Sequence, residues 1–487
     1  VTSPRLTSAH ASVAARRPTL DLAFSAALLF VALLPRLFVA VAWSREPVWD
    51  GHYYDFGAQR IAAGLGYTED VLIGGQTVAK AWCHYPVGYS GFLGGCYVLF
   101  GPLVELLFGT TRLVPPLANA VVGALTAVAV HRLARHLLNP TRARIAGSIV
   151  ALHPGLIVYT AVLMSEPLAG LLLVVSGWLA VRFRGSVRGV LYAGAVLGLA
   201  TLVRPASLLA APLLVVTQPR PWFSALLRGA IATAIAVIVV VPWTARNCRV
   251  MDGCAFVSTN AGWNLAIGAL SDTGRFVALR AQDGCPVVTG QVQQDRCWGE
   301  VGRRAIARDP WGWAQKIPRK LAHTFSHESF AIEYLHEADP VAWPEPRRVA
   351  GRALSSFFHR LLLAVASLAV VGRVWRDDGW ARMIVQGALL GALLALVVYA
   401  VADDYHPFHW VALAGPIAGL FPLPGRSWLG PAGRYAIGLI LVTALTHAVF
   451  FGDDRYHLVV TPMYCLLAAA ALRRSHDPER DSTLAWS

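Results

Sequence analysis

Residues 88–108 read GYSGFLGGCYVLFGPLVELLF, and whether this stretch crosses a membrane decides the fold on both sides of it. It is long enough to span, since about 20 apolar residues cross the hydrocarbon core. If it does, the next loop falls outside with Arg132, Arg135, Arg142 and Arg144 and no acidic residue. That opposes the tendency of arginine to stay on the cytoplasmic side. If 88–108 instead lies along the outer surface, this loop is cytoplasmic and each later short loop falls into place. The five glycines and Glu105 also suit an interfacial segment. The sequence is therefore read with 88–108 as an extracytoplasmic, interfacial helix.

Outward from that segment, apolar runs at 20–43, 113–131, 145–162, 167–183, 188–203, 206–217, 225–243, 356–374, 383–402, 408–421, 434–451 and 456–472 give about twelve transmembrane helices. Segment 206–217 is short for a span. Arg16 and Arg17 place the N-terminus inside, and Arg182, Arg184, Arg220, Arg376, Arg426, Arg473 and Arg474 fall in cytoplasmic loops. Asp50, Glu166, Asp403, Asp404, Asp453 and Asp454 fall outside. With 56% hydrophobic and 14% charged residues, the chain lacks the polar surface of a soluble fold. The net charge of +14 sits in short clusters flanking apolar runs, which excludes a nucleic-acid partner. The expected fold is an all-α polytopic membrane protein.

Three parts follow. Residues 1–243 form an N-terminal membrane module with a first outer loop at 44–112, residues 244–355 a large outer loop with a small fold of its own, and residues 356–487 the C-terminal helices and a cytoplasmic tail. Four cysteines of the large loop permit three pairings, and the short spacings favour Cys248–Cys254 and Cys285–Cys297. Disulfides there require an oxidising, extracytoplasmic side; free thiols are the other reading.

Asp50, just past the first helix, stands where a carboxylate can take a proton from an incoming hydroxyl. A solvated acid is the plain alternative. Glu166 precedes Pro167 between two apolar runs; it either complements a helix dipole or marks a functional site in the membrane. Arg204, Arg246 and Arg455 lie at the outer boundary against the charge trend, and a guanidinium there pairs bidentately with a lipid phosphate. For Arg455 the neighbouring Asp453 and Asp454 are equal candidates; for Arg204 no acid is adjacent in sequence. His323 and His327 would share one helical face beside Glu328, which makes a divalent-metal site one reading and structural histidines the other.

In order and spacing these segments resemble the GT-C superfamily of polyprenyl-phosphate-sugar-dependent glycosyltransferases, nearest to the bacterial branch of family 39. The matching pieces are Asp50 with Tyr53 and Tyr54, Gly64-Leu-Gly-Tyr67, Tyr85-Pro-Val-Gly-Tyr89, Arg112 with Asn119, Arg132-Leu-Ala-Arg135, His153-Pro154, Ser165-Glu166, Arg204-Pro205, Pro242-Trp243 with Arg246-Asn247, Ser258-Thr-Asn260, and Arg455-Tyr456. The likeness covers residues 20–270 well and the C-terminal helices loosely. It implies that Asp50 is the catalytic base and Glu166 the second acid. It also implies that Tyr53, Tyr54, His84 and Tyr89 line the substrate site. Two departures stand out. His84 occupies a position that is acidic in many relatives, which leaves any family metal without that ligand. Gly51 replaces a second acid after Asp50.

The sequence thus points to an inverting glycosyltransferase of the bacterial plasma membrane with an outward-facing site. Its partners would be a polyprenyl-phosphate-linked sugar, membrane lipids and an extracytoplasmic acceptor, with no cofactor beyond the divalent metal raised above. The rival is a transporter or flippase of an anionic lipid, which would place its site between internal repeats at the bilayer midplane. No repeat is visible.

Overall fold

A computed structural model describes residues 6–286, 290–374, 380–403, 405–421 and 429–471. Asp404, Arg376, Arg426, Arg473 and Arg474 lie outside the described residues.

In hydrocarbon each backbone N–H and C=O must find its partner within the protein, so apolar runs become helices. Each of the twelve apolar segments falls on helix. Among the described residues seven helices have the length and hydropathy of a membrane span: Asp21–Ala42, Val87–Phe108, Thr111–Ala134, Trp222–Val250, Glu345–Gly372, Met383–Ala402 and Gly430–Val449. The pair Pro140–Leu152 and Pro154–Ala161, bent by 53°, makes an eighth if counted as one. Shorter helices, among them Glu166–Arg182, Val187–Val203, Phe408–Leu420 and Thr461–Ala468, complete a polytopic membrane protein that, among the described residues, is α-helical apart from one antiparallel hairpin, Thr68–Ile73 with Gln76–Ala81. Segment 206–217 is a short 3-10 turn continuing into Ala211–Val216. Large apolar side chains such as Phe30, Phe38, Leu106, Phe223 and Val398 stay exposed, as a lipid-facing surface requires.

Two boundaries differ from the sequence reading. The helix before the large loop runs on to Val250, and the one after it begins at Glu345. Polar contacts extend the first of them. Arg246 and Asn247 bond carbonyls of flanking loops, so the helix continues past its apolar stretch. Cys248 is joined to Cys254 and Cys285 to Cys297. Val87–Phe108 is one continuous helix. Gly94 lies against Ile61 and the Ala58 carbonyl of helix Asp50–Ala62, and Leu99, Leu103 and Leu106 are left exposed.

Three local features bring the outer ends together. Pro154 cannot donate to the preceding turn, so the chain breaks at His153 and restarts, with the His153 ring accepting from Leu156 N–H. The second arm ends in the turn that leads to Glu166. Gly51 sits where a Cβ would lie 2.4 Å from the Tyr334 hydroxyl and 2.9 Å from the Leu163 carbonyl. Helix Asp50–Ala62 can therefore settle on that turn only if residue 51 has no side chain, which explains the missing second acid. Gly88 has the same role: a Cβ there would fall 2.5 Å from the backbone of Leu202 and Val203. The Tyr85–Tyr89 segment is thereby pressed against the residue preceding Arg204.

Candidate active site

Asp50 is the first residue of helix Asp50–Ala62. Its Oδ2 accepts from Arg455 Nη1 at 2.6 Å and its Oδ1 from the Tyr85 hydroxyl at 2.9 Å. Burial alone would raise the Asp50 carboxyl. The Arg455 charge and the two hydrogen bonds outweigh it and hold the group below its ordinary value.

Glu166 opens helix Glu166–Arg182 and is almost fully buried. Its Oε1 accepts from Arg204 Nη1 at 2.7 Å and lies 4.0 Å from Arg455 Nε. Its Oε2 has no hydrogen-bond partner among the described residues. Arg204 therefore does have an acidic neighbour, one that chain separation hides. The same Arg204 nitrogen reaches Ser165 Oγ at 3.2 Å. Asp453 Oδ1 lies 3.9 Å from Arg455 Nε, so the local partner is secondary to Asp50. Burial, with help from Asp454, pushes the Asp453 carboxyl up to about 6.

Asp50, Arg204 and Arg455 line a cavity of about 560 Å³ together with Tyr54, His84, Tyr85, Asn260 and Trp263, and Leu173, Leu209, Leu439, Val442 and Phe450 make its walls mostly apolar. Glu166 and Asp453 do not line it. The shape accommodates a charged head with an apolar tail. Burial pushes the half-buried His84 imidazole below its ordinary value despite the nearby Asp50 charge.

Other residues singled out from sequence sit elsewhere. Tyr53 is partly exposed and stacks on Tyr85. Tyr89 is fully buried and donates to Asn119, which in turn donates to the Val162 carbonyl. Neither lines the cavity. Arg246 donates to the carbonyls of Tyr67 and Trp82 at 2.7 and 3.0 Å and also lies off the cavity. Tyr85, which holds Asp50, is marked in the sequence by the Tyr85-Pro-Val-Gly-Tyr89 motif alone.

The metal set expected of His323, His327 and Glu328 does not assemble. Helix Ile317–Phe325 ends before His327, so the two rings do not share a face, and His323 bonds the Thr273 carbonyl at 3.0 Å. Among the described residues the side chains brought together as candidate metal ligands are Glu328, His359 and His457.

Residues 98–245 match the dolichyl-phosphate-mannose-protein mannosyltransferase family. The match lies within residues 20–270, where the resemblance to GT-C enzymes is carried. No curated protein matches the chain. Among solved structures, the oligosaccharyltransferase AglB of Archaeoglobus fulgidus, in complex with an inhibitory peptide and a dolichol-phosphate, is similar at 15% identity and a TM-score of 0.37. That similarity covers 95% of this chain and 57% of AglB, so the chain spans well under two thirds of that protein. ArnT of Cupriavidus metallidurans bound to undecaprenyl phosphate is similar at 17% identity and a TM-score of 0.35, covering 91% of this chain and 77% of ArnT.

Proposed function

We propose that the protein is an inverting glycosyltransferase that moves a sugar from a polyprenyl-phosphate donor to an acceptor hydroxyl. Its site would lie on the extracytoplasmic face of a bacterial plasma membrane, with helix Val87–Phe108 along the outer surface. The observation that carries this reading is the set Asp50, Arg455 and Arg204 lining a largely apolar cavity, with buried Glu166 paired to Arg204. Asp50 and Glu166 are the short-range partners of the two guanidiniums, so an arriving phosphate competes with a carboxylate for an arginine.

Arg455 is the one that changes partner. It leaves Asp50 for the donor phosphate, while Glu166, buried and ion-paired, keeps Arg204 aimed into the cavity. Asp50, freed of its cation, becomes a stronger base and stays oriented by Tyr85. Asp50 then takes the acceptor hydroxyl proton as that oxygen forms its bond to the anomeric carbon. The bond from that carbon to the phosphate oxygen breaks on the opposite side, and the departing charge rests between Arg204 and Arg455. Arg246 takes no part; through the carbonyls of Tyr67 and Trp82 it holds both ends of the hairpin at 68–81.

Comparison of cell-envelope glycans from cells with and without the intact gene tests this proposal. Loss of one sugar from a glycan, lipid or protein, with the polyprenyl-linked donor accumulating, is the expected result. Unchanged glycans with an altered leaflet distribution of the lipid would instead favour a transporter.

A further inference from the structure

Behind the turn that presents Arg455, a second buried cluster has the opposite electrostatic character. Glu328 comes from the loop after helix Ile317–Phe325, His359 from helix Glu345–Val374, and His457 from the turn Tyr456–Val459. All three are buried to 2% exposure or less. Glu328 Oε2 stands 3.8 Å from His359 Nδ1 and 3.9 Å from His457 Nε2, and one potential ligand atom from each residue lies within 4.8 Å of the others.

The other ring nitrogens set the tautomers. His359 Nε2 is 2.9 Å from the Phe325 carbonyl, and His457 Nδ1 is 2.8 Å from the Thr324 carbonyl. A carbonyl oxygen can only accept, so each neutral ring keeps its proton there and turns a bare nitrogen toward the carboxylate. Both Glu328 oxygens, His359 Nδ1 and His457 Nε2 have no hydrogen-bond partner among the described residues. Three acceptors facing one another in a dry interior repel, and unmade hydrogen bonds there are costly. The carboxylate also occupies the place of a side chain on the neighbouring break, since a Cβ on Gly155 would fall 1.4 Å from Glu328 Oε1.

We propose that Glu328, His359 and His457 bind a divalent transition-metal ion, with zinc the best match to two imidazole nitrogens and a carboxylate. Imidazoles that ligate through one nitrogen and donate from the other to a backbone carbonyl are the arrangement that orients metal-bound histidine. Ligand atoms ~2.0–2.1 Å from a tetrahedral ion stand roughly 3.3–3.4 Å apart. The separations of 3.8 and 3.9 Å therefore need to close only slightly. His153 cannot serve as a ligand through its unpartnered Nε2, because its Nδ1 accepts from Leu156 N–H and the proton sits on Nε2.

None of the three residues lines the cavity of Asp50, so the ion does not meet substrate. Its effect is to clamp two elements that support the active site. Ser329, next to Glu328, donates through N–H and hydroxyl to Asp454, and His457 follows Arg455 by two residues. A metal here fixes the turn from which Arg455 reaches Asp50.

The test uses the full-length protein in detergent, stripped with a chelator, dialysed and offered zinc alone. Wild type should recover about one zinc per chain and unfold at a higher temperature than the stripped protein. His359→Ala and His457→Ala should lose at least about tenfold of that bound zinc, while His323→Ala and His327→Ala keep it. Should the first two variants fail to fold, X-ray absorption on zinc-loaded wild type still decides, with two imidazoles and a carboxylate oxygen at ~2.0–2.1 Å expected. Three results would overturn the site: wild type taking up no zinc, equal depletion by His323→Ala and His359→Ala, or a spectrum without imidazole.

Discussion

Two buried polar clusters flank the segment 453–457, and they solve the problem of burying carboxylates in opposite ways. Toward the cavity, Asp50 and Glu166 each face a guanidinium at 2.6–2.7 Å, so charge is balanced within the protein. Behind that segment, Glu328 faces two bare imidazole nitrogens and no cation. The balanced cluster lines open space and can exchange one partner for an incoming anion. The unbalanced one is enclosed and calls for a cation of its own. A carboxylate's counter-charge, rather than the carboxylate itself, thus separates a site that turns over from one that holds the fold.

The largest expected effect is on turnover. Asp50→Asn keeps the hydrogen bond from Tyr85 but cannot accept a proton, so sugar transfer in a purified assay should fall by about 10²–10⁴-fold. Near-normal transfer would remove Asp50 as the base.

Breaking the balanced cluster should cost stability as well as function. Arg204→Ala leaves Glu166 buried without its cation, a loss of about 3 kcal/mol at the lower end for buried pairs, because Arg204 is partly exposed. Arg204→Lys should lose less, since it keeps the charge but not the planar fork. Chemical denaturation of the two variants checks the order. An Arg204→Met, Glu166→Gln double variant should recover most of the stability but none of the donor affinity.

Glu328→Gln sharpens the contrast. In zinc-free protein it replaces one of three mutually repelling acceptors with a donor, so the unfolding temperature should rise. In zinc-loaded protein it removes a ligand, so the unfolding temperature should fall. Neutralising a carboxylate of the balanced cluster should lower stability in both conditions.

The smallest effect concerns Asp453, whose carboxyl is raised to about 6 in the folded protein. A raised carboxyl binds its proton more tightly when folded, so its contribution to stability is present at low pH and lost as pH rises from about 4 to about 6. Asp453→Asn should therefore raise the unfolding temperature above pH 6 and leave it unchanged below about pH 4.

Much of this was legible in the chain. The apolar runs fall on helices because hydrocarbon leaves the backbone no alternative. Asp50, Glu166, Arg204 and Arg455 were visible as charges where charge is expensive. Their pairing was not visible, since Asp50 and Arg455 lie 405 residues apart and Arg204 and Glu166 lie 38 apart. Charge counted along the chain cannot register contact across it. Arg246 misled because an arginine without an acid can be satisfied by carbonyls, and nothing in a sequence marks an unpaired carbonyl. His359 and His457 lie beside or within apolar helical runs, where a histidine reads as core. Only the direction of their bare nitrogens distinguishes them, and that direction is set by Phe325 and Thr324 from another element.

The central claim is that Arg455 exchanges Asp50 for the donor phosphate, and binding of a sugar-free polyprenyl phosphate to wild type and Asp50→Asn tests it most directly. With the carboxylate gone Arg455 keeps only its longer contacts to Glu166 and Asp453, so the variant should bind the lipid at least as tightly as wild type while transferring no sugar. Weaker lipid binding by the variant, in step with its loss of transfer, would contradict the exchange and make Asp50 a support of the phosphate site rather than the competitor for its arginine.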